Sequence, residues 1–564
     1  MTVPHFARTG HSMLASSEDS HIVMPILRKF PKFVLIFGLT ISLPAPIFAA
    51  PLSFLSTEST HVVDQLHQPV ELRGPNLGGW LLEEMWMSPF ITKPPTGSPH
   101  RPIKDAAGLW KTIEARFGRD EAYHLKKDWR DAWLGESDFV RIKAAGFNCV
   151  RLPFIYDAQN DPDGLLFWLD RAVGWAEKAG IYVILDMHGA PGRQSKGDIT
   201  GEADIDRLFK EPRYVEETAA LWQKIARRYR GRSNVAAYDL LNEPMGAPNP
   251  TTLHLVHERL YRAIREVDER HIVIVEDGYK GFDSLPYPAA LGWKNVMLSL
   301  HSYDFDAKNA QAHRRQVDGL VSEVASKLNA RHVPFYLGEF NIEPYGNPET
   351  LNYFVKALQR RGYSWSFWTY KVAGLPGGRS VWGWYHVPNG FKPIDPFNDS
   401  SAQMREKFTQ FRTPNMVEYQ ELKEALGAPT FSRLAIEKWD FRKSASGVDP
   451  STEDLSAKGD WRGVEIGEDV FDAKPGFGWF KSVLPPVVAT EKTLLFDSAD
   501  DNATVYFNGH RLTKHEGWTG AFEASLDEFW KADGPNEVAV LVENTAQGGG
   551  LTGKVNLALV PAGK

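Results

Sequence analysis

Two glutamates stand in short, sharply punctuated motifs, Glu243 in LLNEP and Glu339 in LGEFN. Each ends an apolar, β-prone run: VAAYDLLNE from Val235 and PFYLGEFN from Pro334. A carboxyl pair of this kind can hydrolyse a glycosidic bond. One group, protonated, helps the leaving oxygen depart; the other, ionised, attacks or activates water. A single glutamate after a strand is more often a helix cap or a solvated loop residue. Here, however, six of eight such runs finish in polar, chargeable or aromatic residues: Arg151, Asp186 with His188, Asn242 with Glu243, His301 with Tyr303, Glu339 and Trp368.

The eight runs begin at Val70, Asn148, Ile181, Val235, His271, Val296, Pro334 and Tyr363, with amphipathic stretches between most of them. Strands alternating with helices predict a parallel sheet, and eight units predict a closed (β/α)8 TIM barrel of the α/β class. Barrel sites lie at the carboxyl ends of the strands, so the six polar strand ends are expected to converge. Residues 87–135 read as an insertion on that face. Residues 401–427 read as a helix closing the barrel. The loop 372–400 carries Trp382, Trp384 and Tyr385, which either wall a cleft or pack the loop down. Glu276 and Asp277, after the fifth run, either touch a distal sugar or are solvated. From about residue 430, short strands joined by turns such as Asn508-Gly509 predict an antiparallel β-sandwich. The expected domains are thus 1–50, a signal peptide and N-terminal extension; 51–429, the barrel; and 430–564, the sandwich.

Composition narrows the partners. With 71 acidic against 64 basic residues and a net charge of −7, nucleic acid is not an expected partner. The 18 tryptophans suit either stacking on sugar rings or core packing. One cysteine, Cys149, excludes an intramolecular disulfide and is expected as a small core residue. The run FVLIFGLTISL behind Arg28, Lys29 and Lys32, closed by Ala49 and Ala50, reads as a secretory signal, with Met24 a candidate start. The protein is therefore expected to be exported, to the medium or a periplasm, monomeric and free of the membrane once the signal is removed. No cofactor or metal is expected: there is no HExxH, and the first run, LRGPNLGG, lacks a His-x-His pair.

In order, RGPNLGGW, FNCVRLPF, LDMHGAPG, LLNEP, HSY, LGEFN and WSFWTYK span roughly residues 62–400. This ordered set resembles glycoside hydrolase family 5, the cellulase-like family of retaining barrels. The resemblance implies Glu243 as general acid and then base, and Glu339 as nucleophile. It implies that Arg151 and Tyr303 bond Glu339, the arginine keeping that carboxylate ionised. Asn242 would hold the sugar 2-hydroxyl, His188 and His301 would line the subsite and orient the acid, and Trp368 would be the sugar platform. A carboxyl separation of about 5 Å is expected for retention.

GGWLLEEMW, DAAGLWKTIEARFG, and HGAPG with Gln194 resemble the exo-β-1,3-glucanase branch, in which Glu84 and Trp86 would hold the terminal sugar. The stretch RQSKGDITGE and the loop before Trp384 depart from that branch, which leaves linkage and exo or endo action open. The sandwich resembles galactose-binding-like jelly-roll domains, where Trp461, Trp479 and Trp518 would either bind glycan or pack. The expected substrate is a β-glucan oligo- or polysaccharide, best read as that of a glucan exo-1,3-β-glucosidase. The alternatives are an endo-β-glucanase, a glycolipid-directed β-glucosidase and a non-catalytic carbohydrate-binding protein.

Overall fold

The eight runs form eight parallel strands in the computed structural model, which describes residues 52–373, 380–444, 453–456 and 459–562. They are β1 (Arg73–Pro75), β2 (Cys149–Ile155), β3 (Tyr182–Gly189), β4 (Val235–Asp239), β5 (Ile272–Glu276), β6 (Val296–Ser302), β7 (Phe335–Phe340) and β8 (Ser364–Phe367). Neighbours pair in parallel from β2 through β8 and on to β1. Bridges Asn76–Arg151 and Leu81–Phe154 close the ring. β2, β3, β4, β5 and β7 are buried along their whole length, the pattern of strands covered on both faces, which is why they read as continuous apolar runs. Cys149 packs with Tyr182, Ile184, Met297 and Tyr336, and burial pushes its thiol up. It is the core residue expected.

Helices α1 (Ala106–Phe117), α2 (Arg119–Trp133), α3 (Glu136–Ala144), α4 (Gly164–Ala179), α5 (Pro212–Tyr229), α6 (Pro250–Arg265), α7 (Ala310–Leu328) and α8 (Pro348–Arg361) follow the sequence closely. Their starts have a local cause. Asn249, Asn309 and Asn347 accept a backbone N–H from the first turns of α6, α7 and α8, and Pro250 and Pro348 occupy the first helical position.

The connection between β5 and β6 holds only 3-10 turns, Phe282–Ser284 and Pro288–Leu291, and Pro286 and Pro288 break any longer helix. One expectation is corrected. Residues 401–427 are not one helix but two, α9 (Ser401–Phe408) and α10 (Gln420–Leu426). Pro414 interrupts them, and Val417–Glu418 instead pairs with Tyr385–His386. The expected signal segment and loop residues 374–379 lie outside the described residues.

Residues 432–561 form two antiparallel sheets, of four and six strands, facing each other across an apolar core. Asn508 and Gly509, both at positive φ, turn the hairpin between Asn502–Phe507 and His510–His515 as expected. Of the three sandwich tryptophans, Trp479 is buried with Ala539 and Leu541 in a small cluster apart from the core between the sheets, and Trp461 packs against that cluster beneath Arg442 and Lys481. Trp518 alone of the three is well exposed, at 68%. The sandwich is tied to the barrel by Arg360–Glu523 and Arg361–Asp497, both 2.7 Å, and by Arg433–Glu71. A cavity of about 1070 Å³ lies at this seam beneath the amino ends of β1 and β8, away from the paired glutamates. Several of its charges are already spent on those ion pairs.

No helix among the described residues is long and apolar enough to cross a membrane.

Candidate active site

At the carboxyl ends of the strands a cavity of about 640 Å³ is lined by Glu84, Trp86, His188, Asn242, Glu243, Tyr303, Glu339 and Trp368. Arg151 and His301 stand directly behind this wall. All ten expected residues are therefore brought together. Gly197, Ile199, Met245, Tyr279, Phe305 and Trp382 complete the lining. In the loop 372–400, Trp382 walls the cleft, whereas Trp384 and Tyr385 are buried and pack the loop down. Both readings thus hold, for different residues.

Arg151 is the hub. Its guanidinium donates to Glu339 Oε1 at 2.7 Å, Asp239 Oδ2 at 2.9 Å, Asn242 Oδ1 at 2.9 Å, Glu276 Oε1 at 3.1 Å and Asn76 Oδ1 at 3.2 Å. Burial opposes the charge, but Asp186, Asp239, Glu339 and Glu276 hold Arg151 well above its ordinary value. Tyr303 donates to the other oxygen of Glu339 at 2.8 Å. Both expected partners of Glu339 are in place.

The pull of Arg151 is not what dominates at Glu339, however. Burial pushes this carboxyl above its ordinary range, outweighing the opposing charges of His301, Arg151 and His188. Two donors favour the ionised form, while removal from water disfavours it.

Glu243 lies past the end of β4 with φ +43°, a left-handed conformation uncommon for a non-glycine residue. Glu276 explains how it is held. Oε2 of Glu276 accepts the backbone N–H of Glu243 at 2.8 Å, and its Oε1 lies 3.3 Å from His301 Nε2. Glu276 is 2% exposed, so it is neither a distal sugar contact nor solvated. Asp277 is buried too, and accepts from Gly281 N to close the turn. The Glu243 side chain meets His301 Nδ1 at 2.9 Å and the Tyr279 hydroxyl at 2.8 Å, both on Oε1. Burial opposes protonation of His301, but Glu276 and Glu339 carry it well above the ordinary histidine value. Ligand atoms of Glu243, His301 and Glu339 lie within 4.8 Å of one another. One oxygen of each carboxylate thus lies within 4.8 Å of the other, short of the roughly 7 Å that would count against retention.

Asp239, Tyr279 and Asn76 were not anticipated as site residues, and Glu276 was anticipated only as a distal sugar contact or a solvated residue, not as the support of Arg151 and Glu243. Glu276 and Asp239 did carry a signal, an acid at or near the end of an apolar strand, the same signal that marks Glu339. His188 pairs with Asp186 at 2.6 Å and stacks on Trp368, centroids 5.5 Å apart. Gln194 bonds the carbonyls of His188 and Asn242, both at 2.8 Å, and so fixes the two strand ends relative to each other.

Trp86 donates to Glu84 at 2.7 Å and packs edge-on against Trp382. Burial pushes the Glu84 carboxyl up to about 8. The folded form thus keeps this proton above pH 4.5, where the unfolded chain releases it, and the stabilisation is lost as pH rises towards 8. Glu84→Gln keeps a neutral group at every pH. Thermal unfolding from pH 4 to 9 is therefore expected to show wild type losing stability relative to this variant between about 4.5 and 8.

The group Glu243, His301 and Glu339 has the spacing of metal ligands. Its chemistry does not fit a cation: a permanent guanidinium is 2.7 Å from Glu339, and both His301 nitrogens face carboxylates, which leaves neither free to ligate.

Glycoside hydrolysis requires two carboxyl groups flanking one bond, and the barrel supplies them at its strand ends, Glu339 held by Arg151 and Glu243 by His301. Residues 110–374 match the model of the cellulase family, glycosyl hydrolase family 5. The chain is 28% identical over 360 residues to a β-xylosidase of Phanerodontia chrysosporium, covering 58% of this chain and 72% of that protein. It is 29% identical over 360 residues to a probable glucan 1,3-β-glucosidase A of Neosartorya fischeri, covering 54% and 84%. Among solved structures, an endogalactoceramidase aligns over 90% of this chain and all of its own, with 17% identity and a TM-score of 0.45.

Proposed function

We propose that the protein is a retaining β-glucosidase that removes terminal glucose from β-1,3-glucan. The observation that carries this reading is the carboxylate gap, within 4.8 Å, with Arg151 and Tyr303 on Glu339 and His301 and Tyr279 on Glu243. Retaining enzymes hold their carboxyl groups about 5 Å apart, too close for an intervening water. Glu339 attacks the anomeric carbon while Glu243 gives its proton to the leaving oxygen. Glu243 then takes a proton from the water that releases the sugar from Glu339. Asn242 Nδ2 is buried without a partner among the described residues, and this free donor suits the sugar 2-hydroxyl. Trp368 is the platform, and Glu84 with Trp86 grips the terminal sugar. The glucan 1,3-β-glucosidase relatives support the linkage. In this reading the catalytic domain is 51–429, the sandwich 430–564, and the protein is exported.

The exposed apolar rim of Trp86, Met245 and Phe305 favours a second reading, a β-glucosidase that accepts an apolar aglycone. Early products from β-1,3-, β-1,4- and β-1,6-glucans test the choice. Glucose alone from β-1,3-glucan is the expected result. A ladder of oligosaccharides contradicts exo action, and cleavage of a glucolipid with no glucan turned over favours the second reading.

A further inference from the structure

The turn after β5 touches Glu243 through a residue whose part in the reaction is not yet accounted for. Its conformation is built for a close approach. Gly278 has φ +62°, and a Cβ there would fall 2.8 Å from the carbonyl oxygen of Pro244, the residue after Glu243. Tyr279 follows with φ +59°, and Asp277 clamps the turn by accepting the N–H of Gly281 at 2.7 Å. The turn is thereby pressed against the chain beside Glu243, and it delivers the Tyr279 hydroxyl to Glu243 Oε1 at 2.8 Å. His301 meets that same oxygen at 2.9 Å. Oε2 receives no hydrogen bond from the described residues.

We infer that Tyr279 is a positioning residue that, with His301, reserves Glu243 Oε1 for hydrogen bonding and leaves Oε2 as the atom that carries the transferable proton. The inference rests on Glu243 being the acid. In the first step the Oε2 proton passes to the glycosidic oxygen as the bond from that oxygen to the anomeric carbon breaks and the bond to Glu339 forms. The negative charge then left on the Glu243 carboxylate is met at Oε1 by the tyrosine O–H and the His301 N–H. Burial of the hydroxyl together with the charge on Glu243 raises Tyr279 far above its ordinary value, so it remains a donor throughout. A donor to the ionised form aids proton delivery, and aids it most where the leaving group needs the proton.

The test is kcat/KM of Tyr279→Phe on a dinitrophenyl β-glucoside, whose leaving group departs unaided, and on phenyl β-glucoside, whose leaving group does not. The ratio of the two values is independent of the fraction of enzyme that is folded. Losing a hydrogen bond to a developing charge is expected to slow the phenyl substrate about tenfold or more and the dinitrophenyl substrate hardly at all. An equal loss on both substrates, as a merely structural role would give, overturns the inference, and so does no loss on either. Glu243→Gln is assayed alongside. If it too leaves the ratio unchanged, the assignment of Glu243 as acid fails; if it changes the ratio and Tyr279→Phe does not, only the role of Tyr279 fails.

Discussion

Glu339→Gln is expected to lower turnover by about 10⁴-fold or more on every substrate, whatever its leaving group, as removal of a nucleophile from residues acting as a unit does. The amide fills the same volume and can still meet Tyr303, yet it cannot form the glycosyl ester. The variant is expected to fold, because Arg151 keeps the carboxylates of Asp186, Asp239 and Glu276 within 3.2 Å. Its guanidinium is therefore not left as an unpaired buried charge, the situation that makes breaking a buried pair severe. The check is kcat/KM on an activated aryl glucoside and on a glucan, with thermal unfolding as the control and substrate binding to the inactive variant as a second. Retained binding with lost turnover also separates an enzyme from a carbohydrate-binding protein that merely keeps the fold. A loss confined to poor leaving groups would contradict the role given to Glu339.

The second large effect is of a different kind. Glu243→Gln removes the proton donor, and general acid–base help is worth about 10²–10⁴-fold. That loss is expected in full on unactivated glucan, where the departing alkoxide needs a proton. It is expected to be slight in kcat/KM for a dinitrophenyl glucoside. Because the same group is the base in the second step, kcat on the activated substrate falls while kcat/KM holds, and KM falls with it. The measurement is a pair of saturation curves on the two substrates. Equal loss of kcat/KM on both would make the acid assignment wrong.

The strands and their polar ends were readable because each strand is covered on both faces and so is written as one continuous apolar run. Where such a run carries His188 or Glu339 near its end, the polar residue is conspicuous; Arg151, expected at a strand end, is instead the third of seven residues in β2 and points into the barrel from within the strand. The helices from α4 to α8 were readable because proline, asparagine or glycine marks their ends. The break between α9 and α10 also had a signal, Pro414, which the reading of 401–427 as one helix overrode. What the sequence does not show is which acids share Arg151. Glu276 lies 125 residues away from it along the chain, and Asp239 lies 88 away. Only closure of the barrel makes them neighbours. Tyr279 was hidden for another reason: its contact depends on two consecutive left-handed residues, Gly278 and Tyr279, in a turn whose sequence, VEDGYKG, reads as an ordinary loop. The net upward shift at Glu339 was illegible for a third, since it is set by the depth of burial and not by the arginine the motif names.

The central claim is that Glu339 and Glu243 act together across a gap too short for an inserted water, so that the sugar is first bonded to the protein and only then released. The most direct test is the anomeric form of the first glucose released from a β-glucoside, followed by proton NMR before mutarotation mixes the two forms. The β-anomer appearing first is the expected result. The α-anomer appearing first would mean a single displacement by water, and would contradict the account.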